Sequence, residues 1–184
     1  MHGTEAPSSW VQRWTHLIPP HATALDLACG AGRHMRWLQA QGLQVTGVDR
    51  SPAAIAACSG LGELICADIE NGPWPLPGRQ FGAVVVTNYL WRPLLPTVLA
   101  SLAPGGVLIY ETFAQGHETV GRPSRADFLL RPGELLQAFG ALRTVAYEDG
   151  YLENPARFVQ RIAAVRETPH PEAPARHRLQ PLSS

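Results

Sequence analysis

LDLACGAGRHMRWL, residues 25–38, reads as the end of a buried strand, a tight turn and the start of a helix. Gly30 and Gly32 have no β-carbon, so the backbone of this turn can approach a ligand closely. A dinucleotide-binding turn would carry a third glycine three residues after Gly32, where helix and strand pack closely beside a pyrophosphate. Position 35 is a methionine, and Asp26 stands four residues before Gly30. The turn therefore points to a ligand without phosphates.

Strand and helix patterns alternate along the chain. Strands are predicted over 23–28, 43–48, 63–67, 81–87, 107–112, 142–148 and 158–165, and helices over 9–17, 34–41, 52–58, 92–102 and 132–140. Ser9 is the predicted cap of the first helix, 104–106 a turn and 150–155 a hairpin-like turn. This order predicts an α/β fold with a Rossmann-like, doubly wound, seven-stranded sheet, mostly parallel with an antiparallel final strand, and helices on both faces. In such sheets ligands bind beyond the carboxyl ends of the strands, where the strand order reverses.

The 184 residues suit one ligand-binding domain. We expect a helical cap over 1–22, the domain over 23–166 and a proline-rich tail without a fold of its own over 167–184. Fifteen basic residues balance fifteen acidic ones, which gives no support for a nucleic-acid or membrane partner. Residues 1–9 lack a signal-peptide core, and no apolar run approaches the ~20 residues of a membrane span. Three cysteines without metal-ligand spacing favour a reduced, cytoplasmic setting and no metal.

Aspartates close three successive predicted strands: Asp26, Asp49 and Asp68. Asp26 can attract an ammonium group, directly or through water, and Asp49 can accept hydrogen bonds from ribose hydroxyls. Asp68 can accept from the exocyclic amine of adenine, while Ile69 donates its backbone N–H to the ring. A single aspartate at a strand end is more often a helix cap or a loop residue. Three of them in register favour S-adenosylmethionine as the ligand.

Five segments in this order and spacing resemble the class I S-adenosylmethionine-dependent methyltransferases. They are LDLACGAGRHMRWL (25–38), VTGVDRSPAAI (45–55), ICADIE (65–70), FGAVVVTNYL (81–90) and LAPGGVLIYETF (102–113). The small size and GRPSRADFLLRPGELL (121–136) are similar to compact bacterial members grouped with tellurite-resistance methyltransferases. The resemblance implies the family's fold, its cofactor and the usual roles of the three carboxylates. Cys29 replaces a glycine that many relatives have, and we interpret it as a packing residue rather than a nucleophile.

The predicted cofactor site surrounds these strand ends. Its residues are Asp26, Ala28, Gly30, Gly32, Arg33, Asp49, Arg50, Asp68, Ile69 and Asn88. The sulfonium of S-adenosylmethionine makes its methyl group electrophilic, so the protein must mainly place a nucleophile in line behind it. A soft nucleophile such as a thiolate or selenolate needs no general base.

Residues 87–92, TNYLWR, follow the fourth strand and are expected to face the methyl acceptor. They differ from the Asn-Pro-Pro-Tyr arrangement of many methyltransferases that act on bases and glutamines, which favours a small-molecule substrate. The predicted substrate residues are Tyr89, Trp91, Arg92 and Arg122. The candidate catalytic groups are His117, in an exposed connection, Glu111 and Tyr89.

Several alternatives remain open from the sequence. Trp91 is equally compatible with packing of the next helix, Arg92 with a surface salt bridge and Glu111 with a structural ion pair. A catalytically silent binding module is an alternative to the enzyme. A nicotinamide-dependent oxidoreductase is a further one, although Met35 and Asp68 argue against it. The sequence makes no prediction of the oligomeric state.

Overall fold

In a computed structural model of the chain, which describes residues 6–169 and 173–180, seven strands form one sheet. The strands are β1 (Thr23–Leu27), β2 (Gln44–Asp49), β3 (Glu63–Cys66), β4 (Phe81–Thr87), β5 (Leu102–Phe113), β6 (Arg143–Glu153) and β7 (Ala156–Val165). The helices are α1 (Ser9–Trp14), α2 (Arg33–Ala40), α3 (Pro52–Ala57), α4 (Leu95–Ala100) and α5 (Glu134–Ala138). Short 3₁₀ turns lie at Thr15–Leu17, Arg92–Leu94, His117–Thr119 and Ala126–Phe128.

The strand order is β3-β2-β1-β4-β5-β7-β6. Strands β1 to β5 pair in parallel, and β7 runs antiparallel to both β5 and β6. The predicted doubly wound sheet with an antiparallel final strand is therefore confirmed. Because the chain builds outward from β1 to β3 and then returns to β4, the order reverses between β1 and β4. A ligand site is expected at the carboxyl ends of these two strands.

Two apolar layers cover the sheet. On one face Trp10 and Trp14 of α1 and Met35 of α2 are fully buried, together with Ile109 of β5. The other face packs against α4, α5 and the loop that contains Leu76. Four consecutive residues of β4, 83–86, are buried because they contribute to both layers. This explains why the β4 segment is continuously apolar instead of alternating.

The close contact between α2 and the sheet depends on a glycine in the strand. A β-carbon at Gly47 of β2 would lie 2.4 Å from Met35 Sδ and 3.0 Å from Cys29 Sγ. Helix and strand thus approach through a small residue on β2, so α2 can carry a methionine where a dinucleotide fingerprint has its third glycine. Cys29 is buried here, and burial raises the pKa of its thiol, which agrees with a packing role.

Several predicted boundaries were wrong. Ser8, not Ser9, caps α1, since its hydroxyl accepts the backbone N–H of Trp10. Strand β5 starts at Leu102 and includes the predicted turn 104–106, because Leu102 pairs with Phe81 before a register shift. Strands β6 and β7 continue to Glu153 and Ala156, so the predicted turn over 150–155 shrinks to residues 154–155. Antiparallel pairing satisfies the backbone of this hairpin even beyond the core.

The tail expected over 167–184 is only partly described. Residues 167–169 and 173–180 form neither helix nor strand, and the carbonyl of Arg178 lies 2.9 Å from Nε2 of His16. Residues 170–172 and 181–184 lie outside the described part, as do residues 1–5 of the expected helical cap. Within the described ranges, no helix is both long and apolar enough to cross a membrane.

Candidate functional site

Two adjacent cavities open where the strand order reverses. The larger has a volume of about 340 Å³ and lies at the carboxyl ends of β1 to β5, under the segment 114–130. Its lining includes these predicted site residues: Ala28, Asp49, Arg50, Asp68, Ile69, Asn88 and Tyr89. The rest of the lining consists of Glu70, Leu90, Thr112, Phe113, Pro123 and Phe128.

The smaller cavity, of about 280 Å³, lies over the glycine turn between β1 and α2. It is lined by Ala28, Cys29, Gly30, Ala31, Arg33, His34, Thr87 and Asn88. Ala28 and Asn88 line both cavities, so the two lie side by side. The structure thus brings most of the predicted cofactor residues to one edge of the sheet.

The two glycines of the turn serve different purposes. Gly30 has φ +54°, and nothing lies within 4 Å of the position that its β-carbon would take. Gly32 lines neither cavity, and a β-carbon there would lie 2.8 Å from Cys58 Sγ and 2.9 Å from a methyl carbon of Leu61. Gly32 therefore allows α2 to begin close to residues 58–61, and its close approach to a ligand stays a prediction.

Asp26 is 1% exposed and lies beneath the turn, outside the lining of both cavities. Its Oδ2 has no hydrogen-bond partner among the described residues. Burial raises the pKa of Asp26 to about 7, although the positive charge of Arg33 opposes this effect. A buried carboxyl oxygen without a partner is unfavourable unless a cation or a donor is supplied. This is the electrostatic environment in which an ammonium group would bind.

Asp49 lines the larger cavity and is hydrogen-bonded to the glycine turn that lines the smaller one. Its Oδ2 accepts the backbone N–H of Gly30 at 2.8 Å, and its Oδ1 accepts that of Ser51 at 2.9 Å. These bonds fix the carboxylate at the end of β2. Since each carboxylate oxygen has a further lone pair, Asp49 can still accept two hydroxyl groups from the cavity.

Asp68 is held by the loop that follows β3. Its Oδ1 accepts the backbone N–H groups of Glu70 and Asn71, and its Oδ2 accepts the side-chain amide of Asn71 at 3.0 Å. The bond from the Asn71 side chain, with these backbone bonds, lowers the pKa of Asp68 below its ordinary value. The carboxylate is thus ionised and oriented beside Ile69, on the β3 side of the larger cavity.

Tyr89 also belongs to this end of the larger cavity. Its hydroxyl is buried without a hydrogen-bond partner among the described residues. Burial raises the pKa of Tyr89, and the nearby charges of Glu70 and Asp68 raise it further. Its backbone carbonyl accepts the hydroxyl of Tyr110 at 2.8 Å, which fixes the loop after β4. Tyr89 therefore stands on the β3 side, close to the two carboxylates.

Glu111 does not point into the cleft as a free base. It is 1% exposed and forms an ion pair with Arg161 of β7 at 3.1 Å. It also accepts the hydroxyl of Ser8 at 2.9 Å, and Arg157 lies 3.7 Å away. The structure supports the alternative that Glu111 is a paired structural carboxylate.

Arg92 and Trp91 lie outside the cavity linings. Arg92 makes a bidentate pair with Glu134, at 2.6 and 2.9 Å, and donates to the carbonyls of Asp127 and Leu129. Burial alone would raise the pKa of Glu134, but the bonds from Arg92 lower it below its ordinary value. Trp91 is half-buried and packs against the core. Arg92 therefore holds the covering segment 114–130, and Trp91 packs as part of the core.

His117 is buried, not exposed as expected. Its ring stacks on Phe113 with 4.4 Å between the centroids, and its Nε2 lies 3.0 Å from the carbonyl of Arg122. The side chain of Arg122 is exposed. Neither residue lines the described cavities, although Phe113 and Pro123 beside them do. The geometry therefore assigns His117 and the backbone of Arg122 to folding of the covering segment.

Sequence reasoning missed several lining residues. His34 was not among the predicted site residues, yet its Nδ1 lies 3.3 Å from Oγ1 of Thr87 at the end of β4. Thr112 and Phe113 stand at the end of β5, a position that alone could have identified them. Phe128 could not have been found, because it is brought over the cavity by a long connection. No group of three or more metal-binding side chains lies together among residues 6–169 and 173–180.

Comparison with known proteins agrees with this geometry. Residues 24–106 match the family described as a methyltransferase domain. The chain is 24% identical over 161 residues to "Hemagglutinin 1" of Eikenella corrodens, covering 80% of this chain and 52% of that protein. It thus spans about half the length of the curated relative that it matches.

The same fold occurs in solved structures of low sequence identity. TehB from Haemophilus influenzae aligns with a TM-score of 0.69 and 21% identity, over 89% of this chain and 63% of that one. The [4+2]-cyclase SpnF aligns with a TM-score of 0.66 and 15% identity, over 92% of this chain and 85% of that one. The same fold therefore also occurs in a protein described as a cyclase. Residues 24–106 therefore match a methyltransferase domain, and the seven-stranded sheet as a whole has the fold of these solved structures.

Proposed function

We propose that this protein binds S-adenosylmethionine across the two cavities and transfers its methyl group to a small molecule. One observation carries the proposal: Asp49 and Asp68 line a single cavity that adjoins the glycine turn, with the buried, unpartnered oxygen of Asp26 beneath that turn. This donor and acceptor set fits the sugar, base and ammonium group of the cofactor.

Each carboxylate has a separate task in this proposal. Asp49 accepts the ribose hydroxyls with the lone pairs that Gly30 and Ser51 leave available. Asp68 and the backbone of Ile69 bind the adenine edge, and Tyr89 closes that end of the cavity. Asp26 attracts the ammonium group of the cofactor. Because the glycine turn lies between the two groups, a water molecule bridges them. When bound, the cofactor supplies an electrophilic methyl group, and the protein contributes orientation and exclusion of water.

The other end of the larger cavity indicates the class of methyl acceptor. Its lining there is uncharged: Leu90, Thr112, Phe113, Pro123 and Phe128. The charged lining residues all lie on the β2 and β3 side: Asp49, Arg50, Asp68 and Glu70. With Glu111 in an ion pair and His117 off the cavity, no lining residue at the acceptor end is an evident general base. We therefore propose a small acceptor with an apolar body and a soft nucleophile, such as a thiol or selenol.

Calorimetric titration with S-adenosylhomocysteine tests the cofactor. We expect Asp49→Ala to weaken binding about 100-fold, because two hydrogen bonds to ribose are lost. Asp127→Ala, which removes an exposed carboxylate outside the cavities, is the matched control and should leave the affinity unchanged. Binding of NADH without binding of S-adenosylhomocysteine would instead support a nicotinamide-dependent oxidoreductase.

A panel of acceptors tests the reaction. Alkyl and aryl thiols, selenols, tellurite, amines and carboxylates would be incubated with S-adenosylmethionine, and methylated products measured by mass spectrometry. We expect turnover with the thiols or selenols and none with the amines. Cofactor binding without turnover of any of these compounds would favour a catalytically silent binding module.

The three cysteines are free thiols, which supports our expectation of a reducing, cytoplasmic setting.

A further inference from the structure

A chain of buried hydrogen bonds runs from the start of α1 to the smaller cavity. The backbone N–H of Ser8 donates to Nε2 of His34 at 3.1 Å. Nδ1 of the same ring lies 3.3 Å from Oγ1 of Thr87, at the end of β4. All three residues are buried, and His34 and Thr87 line the cavity over the glycine turn.

The backbone donor fixes the tautomer of His34. An amide N–H can only donate, so Nε2 must present its lone pair to Ser8. In a neutral imidazole the proton then resides on Nδ1, which donates to Thr87. Burial, with the nearby charge of Arg33, lowers the pKa of His34 to about 3, so the ring stays neutral at physiological pH.

The tautomer in turn directs the hydroxyl of Thr87. Oγ1 has one proton and two lone pairs, and Nδ1–H of His34 occupies one lone pair. The Thr87 proton must therefore point away from the imidazole. Among the described residues no acceptor receives it, although Thr87 is only 8% exposed. The Thr87 hydroxyl can therefore donate a hydrogen bond into the cavity, in a direction that His34 fixes before a ligand binds.

The start of the chain holds this arrangement in place. The hydroxyl of Ser8 accepts the backbone N–H of Trp10 at 3.1 Å and donates to Glu111. Glu111 is in turn fixed by Arg161, whose guanidinium lies over the Trp10 ring, 4.8 Å from its centroid. Ser8 therefore cannot turn its N–H away from His34 without breaking the N-terminal cap of α1.

We infer that Ser8 and His34 are positioning residues that orient the Thr87 hydroxyl to donate to the carboxylate of the cofactor's methionine end. This inference rests on the proposed cofactor. The ammonium of the same zwitterion faces Asp26 beneath the turn, so a donor and an acidic group recognise its two charges separately. Thr87 contacts the ligand, and the other two residues act through it.

Two probes separate this role from general binding. S-adenosylhomocysteine carries the amino-acid end, whereas 5′-methylthioadenosine has the same nucleoside thioether without it. By calorimetry, Thr87→Val should weaken the binding of S-adenosylhomocysteine about tenfold or more and leave the binding of 5′-methylthioadenosine unchanged. Thr87→Ser keeps the hydroxyl and is expected to bind both probes as the unmodified protein does. If Thr87→Val weakened the binding of both probes equally, or of neither, the proposed orientation of Thr87 by Ser8 and His34 would be wrong.

The Ser8 backbone can be tested with a matched pair. Ser8 has φ −54°, which proline adopts, so Ser8→Pro removes the N–H and the hydroxyl together. Ser8→Ala removes only the hydroxyl. We expect Ser8→Pro to bind S-adenosylhomocysteine about three- to tenfold more weakly than Ser8→Ala, with no difference for 5′-methylthioadenosine.

Nitrogen NMR of the histidine ring gives a readout independent of binding. His34 should show a protonated Nδ1 and a bare Nε2 in the unmodified protein and in Ser8→Ala, and should lose this preference in Ser8→Pro. A protonated Nε2, or identical spectra and affinities for the two Ser8 variants, would show that Ser8 and His34 do not orient Thr87 in this way. If the unmodified protein binds neither probe, it is the proposed cofactor that is wrong.

Discussion

At the scale of single residues, the candidate site combines groups that are costly to bury. Asp26 has an oxygen without a partner among the described residues, and its pKa is raised to about 7 by burial. Such a group lowers the stability of the protein without ligand, and a cationic ligand removes that cost. We therefore expect the carboxyl of Asp26 to couple binding of the proposed cofactor to the protonation state of the site.

This coupling predicts that S-adenosylhomocysteine binds more tightly as the pH rises through 7. The ammonium of the ligand favours ionised Asp26, which becomes the dominant form only above a pKa of about 7. We expect the dissociation constant to fall about tenfold between pH 6 and pH 8, and binding near pH 6 to release a proton. Calorimetry in two buffers of different ionisation enthalpy measures the dissociation constant and the number of protons released on binding. In Asp26→Asn the affinity should be lower and nearly independent of pH. A pH-dependent affinity that survives in this variant would contradict the assignment.

The sequence predicted some of these residues for a physical reason. Asp49 ends β2 and Asp68 lies two residues after the end of the neighbouring parallel strand β3, and parallel strands end at the same edge of a sheet. The partners of Glu111 and Arg92 could not be predicted, because Arg161 and Glu134 are 50 and 42 positions away in the chain. Whether a charged side chain faces a ligand or a partner is decided by such distant contacts. The tautomer of His34 was equally hidden, since it depends on the backbone of Ser8.

At the scale of elements, Arg92 joins the start of the α4 region to the segment that covers the cavity. Arg92→Met removes the pair with Glu134 and the bonds to two carbonyls of that segment. We expect a loss of about 1–3 kcal/mol in the free energy of unfolding, because a largely buried carboxylate is left unpaired. Urea denaturation measures this loss. Hydrogen exchange should also show faster opening of residues 117–130.

A matched control lies in the same segment. Arg125 pairs with Asp127, and both side chains are 72% exposed. Arg125→Met should change stability by less than about 0.5 kcal/mol, as expected for a solvent-exposed ion pair. If the two arginine variants were equally stable, Arg92 would have no special part in holding the segment.

The packing of α2 against β2 gives a second prediction at this scale. Gly47→Ala should destabilise the protein by about 1–3 kcal/mol, because its β-carbon would overlap the buried end of Met35. In the Met35→Ala background the same substitution should cost much less, since the space is then free. A double-mutant cycle by urea denaturation measures the coupling between the two positions. Additive effects would show that the helix and strand do not meet through this pair.

At the scale of the whole molecule, two buried groups of the candidate site have opposite effects on how the free energy of unfolding depends on pH. The pKa of His34 is lowered to about 3 from an ordinary 6.5, so its neutral form favours the folded protein. Its contribution to stability is complete above pH 6.5 and is lost as the pH falls toward 3. Asp26 has its pKa raised to about 7 from 3.8, so its contribution is complete below pH 4 and is lost as the pH rises through 7. The windows overlap between about pH 4 and pH 6.5.

Within that overlap the two effects should nearly cancel in the protein without ligand. Near pH 5.5 the unfolded chain holds about one more proton on His34, and the folded chain about one more on Asp26. Each alone would give a slope of about 1.4 kcal/mol per pH unit, with opposite signs. The carboxyls with lowered pKa values, Glu63, Asp68 and Glu134, titrate below this range.

Between pH 5 and 6.5 we therefore expect almost constant stability for the unmodified protein and for Thr87→Ser, which changes no titratable group. Asp26→Asn should become more stable with rising pH and His34→Asn less stable, as urea denaturation at half-unit steps would show. Parallel slopes in the two variants would mean that at least one of these groups is not held as the fold indicates, and the ligand site would lose the charge balance on which its proposed chemistry depends.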